Sequence, residues 1–395
     1  MTAASRFLGS MRASSPEVWV ALRMIPGVTL RLYTRLVDRF GDPGAVLAAP
    51  IAALAAAGAP AAVARAIASG RSRDEAAREL ERAGRAGARI VTRADADYPA
   101  ALREIADPPP YLYVRGALVA GDDPAVAVVG SRAASSYGRE VAAILARDLA
   151  AAGVTVVSGL AHGVDAAAHG GALAGGGRTI AVLGCGIDVV YPREHDRLAE
   201  AIAGQGAVVS ELFMGTPPLP QHFPVRNRIV SGLARGTVVV EAAERSGSLI
   251  TARCALEQGR EVFAVPGSIM APRSRGANLL LQRGGAKLVT AATDVLEEIG
   301  LAVRSQRPAG ARAPAAVTAE MGDAARCLVG ALVDGGADAE ELVARTGLTA
   351  PEVLRMLLEL ELAGIVCQLP GGTYSLPPEA RGPVGIAQSL VESGA

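Results

Sequence analysis

The chain has 395 residues, half of them hydrophobic, and its 39 basic and 39 acidic side chains cancel to a formal net charge of zero. That length supports two or three domains with a sizeable core in at least one of them, and overall neutrality argues against a protein that coats nucleic acid without specificity. Cys185, Cys254, Cys327 and Cys367 are scattered, with no C-x-x-C pair and no histidine at ligand spacing, which excludes a disulfide framework or zinc site of recognisable spacing and fits a reducing cytosol.

No basic segment followed by an apolar stretch opens the chain, and the alanine-rich runs are broken by Arg, Gly and Pro well short of a membrane span. The expectation is a cytoplasmic protein with no membrane partner. Residues 1–82 read as a small helical domain, punctuated at "IPGV" (25 to 28) and "FGDPG" (40 to 44). "MIPGVTLRLYTRLVDRFG" has the pattern of a SAM or helix-hairpin-helix module, in which Gly27 either lets backbone N–H groups approach a phosphate or simply turns the chain.

Residues 83–300 change to short β-branched runs alternating with helices: "VAVVG" (126 to 130), "VTVVSG" (154 to 159), "TIAVLG" (179 to 184), "AVVSE" (207 to 211), "TVVVEA" (237 to 242) and "EVFAVPG" (261 to 267). Strands apolar on both faces and ending in small residues predict an α/β fold, a Rossmann-like parallel sheet that binds its ligand at the carboxyl edge. The stretch 98 to 116 adds irregular structure or an extra strand. Residues 301–318, rich in Pro, Ala and Arg, read as a linker. Residues 319–378 give three helices and a hairpin around a Gly-Gly turn, the pattern of a winged helix, and 379–395 a loose tail.

The first strand ends in "VGSRAASSYG" (129 to 138), with Arg132 where a dinucleotide fold needs its second glycine, so no nicotinamide or flavin cofactor is expected. Ser131 and the turn N–H groups can instead accept an anion at a helix N-terminus, with Arg132 over the same place; the alternative is a Ser cap beside a solvated arginine. "SGLAHGVDAAAH" (158 to 169) brings His162, Asp165 and His169 close together after Ser158 and Gly159, but supplies no third metal ligand. Its glycines suit a tight strand-to-helix turn and Asp165 a helix N-cap.

"FPVRNRIVSGLARGTVVVEAAERSGSLITA" (223 to 252) places Phe223, Arg226, Asn227 and Arg228 before an apolar run and Ser246, Gly247, Ser248 and Thr251 after it. Residues 221 to 290 hold ten Arg or Lys against four Glu. Arginines beside an exposed aromatic offer charges for successive phosphates and a flat face for a base, as a single strand requires; alternatively Phe223 is buried and Arg228 pairs with Glu241 or Glu244. Asn278 meets a base edge or caps a helix. Lys287 is the only lysine, so phosphate contacts fall to arginine. Residues 319 to 366 hold nine acids and three arginines, a balance that disfavours a helix in the major groove and favours a protein contact.

With "GSR" (130 to 132), "SGLAHGVDAAAH", "GCGIDVVYPREH" (184 to 195), "HFPVRNRIVSGL" (222 to 233), "VVVEAAERSGSLITA" (238 to 252) and "VPGS" with "GANLLLQRGGA" (276 to 286) in series, the chain resembles the DNA-processing family known as DprA or Smf from about residue 15 to 378. The resemblance implies non-catalytic binding of single-stranded DNA, a homodimer through the Rossmann-like core, and loading of the RecA recombinase onto incoming strands during natural transformation. It implies a DNA pocket containing Arg132, Phe223, Arg226, Asn227 and Arg228. The lysines that relatives often use in the DNA groove are missing, which leaves those contacts unassigned. The competing expectation is a Rossmann-like nucleotide hydrolase of the phosphoribohydrolase type. Such enzymes carry P-G-G-x-G-T-x-x-E, and "SGSLITARCALE" has neither that glycine run nor a Glu three residues after its Thr.

Overall fold

The structure, a computed structural model, describes residues 15–301, 323–333, 335–362, 365–369 and 373–376. The expected tail, the Gly371-Gly372 turn, nearly all of the expected linker and the first fourteen residues of the expected helical domain lie outside them. The chain forms two compact units, Met1–Arg304 and Ser305–Ala395.

The first unit begins with helices α1 (Pro16–Met24), α2 (Leu30–Phe40), α3 (Pro43–Ala48), α4 (Ile51–Ala56), α5 (Ala61–Ala68) and α6 (Ser72–Arg85). Their boundaries follow local chemistry: the Thr29 hydroxyl accepts from the N–H of Leu32 to start α2, and Asp42 accepts from Gly44 and Ala45 to start α3. Gly27 sits between α1 and α2 at φ +88°, and a Cβ there would lie 2.9 Å from Cγ2 of Val63. The glycine is therefore accounted for by the turn and by close packing on α5. Trp19, Leu22 and Leu36 share one core with Tyr111 and Tyr113 of the sheet. The buried Glu79 ties α6 to that sheet, its carboxylate accepting from the Tyr113 hydroxyl (2.8 Å) and the N–H of Met214 (2.7 Å).

The sheet has nine strands in the order β1-β2-β6-β5-β4-β3-β7-β8-β9. The six predicted runs form β3 (Ala125–Val129), β4 (Thr155–Ser158), β5 (Thr179–Val182), β6 (Ala207–Ser210), β7 (Gly236–Val239) and β8 (Glu261–Ala264), all parallel. The extra strand of the 98 to 116 stretch is β2 (Tyr111–Gly116), antiparallel to β6, and it carries β1 (Arg89–Thr92) outside it. At the other edge the two-residue β9 (Lys287–Leu288) follows β8 in parallel. Helices α7 (Ala100–Arg103), α8 (Ser136–Ala151), α9 (Val164–Ala174), α10 (Asp196–Gln205), α11 (His222–Gly232), α12 (Ser248–Glu257), α13 (Arg275–Gln282) and α14 (Ala292–Glu298) are the other α-helices among the unit's described residues. Because β4 lies on one side of β3 and β7 on the other, strand order reverses at β3 and opens a crevice at its carboxyl end.

The second unit contains α15 (Asp323–Ala331), α16 (Ala339–Thr346), α17 (Ala350–Leu362) and the hairpin of β10 (Cys367–Leu369) with β11 (Thr373–Ser375), joined by a bridge from Ala337 to Tyr374. This is a winged-helix arrangement around a core of Leu328, Leu342, Val353, Leu357 and Leu360. Among the described residues, no helix is long and apolar enough to cross a membrane and no group of three His, Cys, Asp or Glu is placed to hold a metal ion.

Candidate nucleic-acid interface

The crevice at the end of β3 is a cavity of about 550 Å³ lined by the carboxyl ends of β3, β4 and β7 and by α11 and α12. Of the residues expected to contact DNA it gathers Ser131, Arg132, Gly159, Phe223, Arg226, Asn227, Ser246, Gly247, Ser248 and Thr251.

Arg226 forms its base. The side chain is 6 % exposed, Nη1 donates to the carbonyl of Val182, and Nε has no partner among the described residues. Gly159 makes room for it: a Cβ there would lie 2.2 Å from Nη1. Burial lowers the guanidinium to about 10, with the Arg132 charge adding and Asp165 opposing, so it stays cationic at neutral pH. Asp165 faces it from the first turn of α9, accepting from the N–H groups of Gly159 (3.2 Å) and Ala161 (3.4 Å). Burial raises this carboxyl above the usual range, partly countered by Arg226. The N-cap of α9 is Gly163 at φ +77°, not Asp165; a Cβ at 163 would meet the carbonyl of Ser131 at 2.3 Å.

Above this base lies an aromatic surface. Gly184, at the end of β5, admits the Phe223 ring, whose Cδ1 would stand 2.9 Å from a Cβ at 184. Phe223 is half-buried, the Tyr191 ring lies 5.8 Å from it, and the exposed Arg132 guanidinium lies 4.7 Å from the Phe223 centroid. On the opposite rim Asn227 donates to the carbonyl of Gly247 (3.3 Å) and the hydroxyls of Ser246 and Ser248 meet at 2.8 Å, which joins α11 to the turn that starts α12. Arg245 stands exposed on that turn. Three arginines against the single carboxylate of Asp165 give the cavity a positive balance.

Several expected contacts fall elsewhere. Arg228 is directed away from the cavity, one side chain 7 % exposed that pairs with Glu211 (2.7 Å) and Asp107 (2.9 Å) rather than with Glu241 or Glu244. Two residues after Arg226 on a helix, it points to another face. The Ser158 hydroxyl is buried and donates to the carbonyl of Val128. Asn278 is spent on Gly267, accepting from its N–H and donating to its carbonyl, outside the cavity. The expected anion site at the start of α8 is filled by the protein: Glu241 accepts from both the N–H and the hydroxyl of Ser135, each at 2.8 Å, and the N–H of Ser131 donates to the Glu241 carbonyl. His169 is wholly buried on Thr179, while His162 and His195 contact each other at 4.9 Å.

Asp165, Arg245 and Tyr191 belong to the constellation without having been expected as binding residues. Arg245 and Asp165 adjoin predicted strand ends, where proximity to the carboxyl edge was the available signal; nothing local to Tyr191 marks it as a neighbour of Phe223, 32 residues on.

Residues 89–300 match the family described as DNA recombination-mediator protein A, and residues 311–372 the DprA winged helix domain. Protein Smf of Escherichia coli is 45 % identical over 285 residues, covering 71 % of this chain and 75 % of that protein. DNA processing protein DprA of Streptococcus pneumoniae is 50 % identical over 201 residues, covering 51 % and 71 %. The X-ray structure of DprA from Streptococcus pneumoniae superposes with a TM-score of 0.64 at 37 % identity, covering 73 % of this chain and 99 % of that one.

Proposed function

The chain belongs to the DNA recombination-mediator protein A family, and from that premise we propose that it binds single-stranded DNA in the β3 crevice and loads the RecA recombinase onto the strand during natural transformation. It does so in the cytoplasm, as a homodimer through the sheet core, and without chemistry of its own.

The observation that carries the reading is the stack of Arg132 on Phe223 above the buried Arg226. A base freed from duplex stacking can lie flat against an aromatic ring, and arginines around it meet the flanking phosphates. The names of the relatives, which speak of DNA processing, and the family's description as a recombination mediator point the same way. A phosphoribohydrolase needs a carboxylate free to act on a sugar; here Asp165 is held by two N–H groups and Glu241 is engaged by Ser135.

Fluorescence-anisotropy titration with labelled single-stranded and duplex oligonucleotides across a salt series, beside a nucleoside-monophosphate hydrolysis assay on the same protein, tests this. The expected result is salt-sensitive preference for the single strand with no released base. Base release without oligonucleotide binding overturns it.

A further inference from the structure

A second basic surface lies on the helical segment. Helix α2 carries Arg31, Arg35 and Arg39 at i, i+4 and i+8, one face of the helix, and all three are exposed. None makes a side-chain hydrogen bond or ion pair with a described residue. The opposite face, Leu32, Tyr33, Leu36 and Val37, is buried in the core, so the direction of the row is fixed. Like charges at this spacing repel along a helix; Asp38, three residues after Arg35 on the same face, is the one acid among them and makes no ion pair with any of the three, so the face keeps a positive balance.

The row lines a groove of about 870 Å³ that Asp38 also lines and whose other wall is Ala106 and Asp107, three guanidiniums against two carboxylates. Asp107 does not neutralise it, because its Oδ2 accepts from Nε of Arg228 at 2.9 Å. That same contact joins the groove to the crevice: Arg228 belongs to α11, and its helix neighbours Arg226 and Asn227 line the crevice. The two basic sites thus adjoin across one turn of α11.

We infer that the α2 groove is a second contact on the same single strand, taking backbone phosphates of the segment that leaves the crevice over α11. The inference rests on the function proposed above. A helical rise of 1.5 Å per residue sets the three arginines about 6 Å apart along the axis, so each meets a different phosphate. With no aromatic ring among its lining residues the groove reads no base; it lengthens the bound strand and adds to its salt dependence.

The test compares the full chain with its Arg31→Ala/Arg35→Ala/Arg39→Ala variant and with Arg35→Glu alone, against oligo-dT of about 6 and about 25 nucleotides, lengths chosen to fill one site or span both. The short oligonucleotide, which also reports that the variants are folded, is bound equally by all three proteins. With the long one, the triple variant loses about a hundredfold in affinity near 0.1 M salt, and its plot of log affinity against log salt is shallower by about 2, since each single-strand phosphate contact contributes about 0.7. Arg35→Glu shows a smaller loss of the same kind. Unchanged binding of the long oligonucleotide overturns the inference and leaves the crevice reading standing, as does an equal loss on both lengths, which would place the effect in the fold. A wild type that binds neither length overturns the crevice reading itself.

Discussion

Arg132 is held over the Phe223 ring, with its guanidinium carbon 4.7 Å from the centroid and no ion pair to a described residue. The ring therefore does two things: it offers a flat surface and it orients a charge that nothing acidic holds. Phe223→Leu keeps an apolar side chain beside Gly184 but removes the flat surface. It is expected to weaken oligo-dT binding by roughly 1 to 3 kcal/mol, with little change in salt slope, because no phosphate contact is removed directly. Arg132→Ala weakens binding too but lowers the salt slope by about 0.7. The double variant loses less than the sum, since each residue positions the other. Anisotropy titrations across a salt series measure all three; additive losses would show that the stack is not a functional unit.

Arg226 and Arg228 are two residues apart and do different work. Arg228→Met leaves Glu211, itself largely buried, without its cation, and removing one partner of such a pair costs up to about 3 to 5 kcal/mol. The variant is expected to unfold at lower urea while its folded fraction binds oligo-dT of about 6 nucleotides, short enough to fill the crevice alone, with near wild-type affinity. Arg226→Ala, which empties the base of the crevice, loses affinity across all sequences. Urea denaturation paired with anisotropy below the transition separates the two; a binding loss in Arg228→Met equal to that of Arg226→Ala would return Arg228 to the site.

That contrast also shows where the sequence is legible. The six core strands and the winged-helix elements follow from patterns that are local: continuous β-branched runs for a sheet buried on both faces, and 3.6-residue periodicity for the helices. Ten of the thirteen expected site residues meet in one cavity because small residues at strand ends mark the carboxyl edge, and the edge is where an order reversal opens. What failed was direction. Whether Arg226 or Arg228 faces the crevice depends on the rotation of α11, set by packing against β5 and by acids at 107 and 211 that are remote in sequence. Glu241 at the start of α8 is the same kind of case: the sequence shows a helix N-terminus able to take an anion, but not that a carboxylate 106 residues away already occupies it. β1 was missed for a different reason, since "RIVT" is only four residues long and one of them is charged.

Asp165 offsets the buried charge of Arg226, and the two predict opposite changes in stability and binding. Asp165→Asn keeps an oxygen to accept from Gly159 and Ala161 but leaves Arg226 without its counter-charge, which is expected to lower stability by about 3 kcal/mol or more. The crevice loses its one carboxylate, so single-strand affinity at low salt rises and its salt dependence steepens. Parallel urea and anisotropy measurements check the pairing. Weaker binding would mean that Asp165 contacts the strand or shapes the turn more than it tempers the charge.

His169 supplies a pH signature independent of DNA. Thr179 donates its hydroxyl to the carbonyl of Val156, so its oxygen accepts from Nδ1–H of His169 at 2.7 Å, leaving Nε2 unprotonated and without a partner among the described residues. Burial, with the charges of Arg226 and His195 adding, pushes the imidazole down to about 3 from its usual 6.5. Between those values the unfolded chain binds a proton that the folded protein does not. The stability held above pH 6.5 is therefore lost as pH falls toward 3, at about 1.4 kcal/mol per pH unit for this one group. Carboxylates titrate over part of the same range, so the diagnostic is a difference: urea stabilities of wild type and His169→Leu, followed from pH 7 to 4, converge as the pH drops, because the variant lacks this one-proton dependence. Parallel curves would mean that the imidazole gains a proton inside the folded protein, and with it a route to solvent through the packing of α9 on β5.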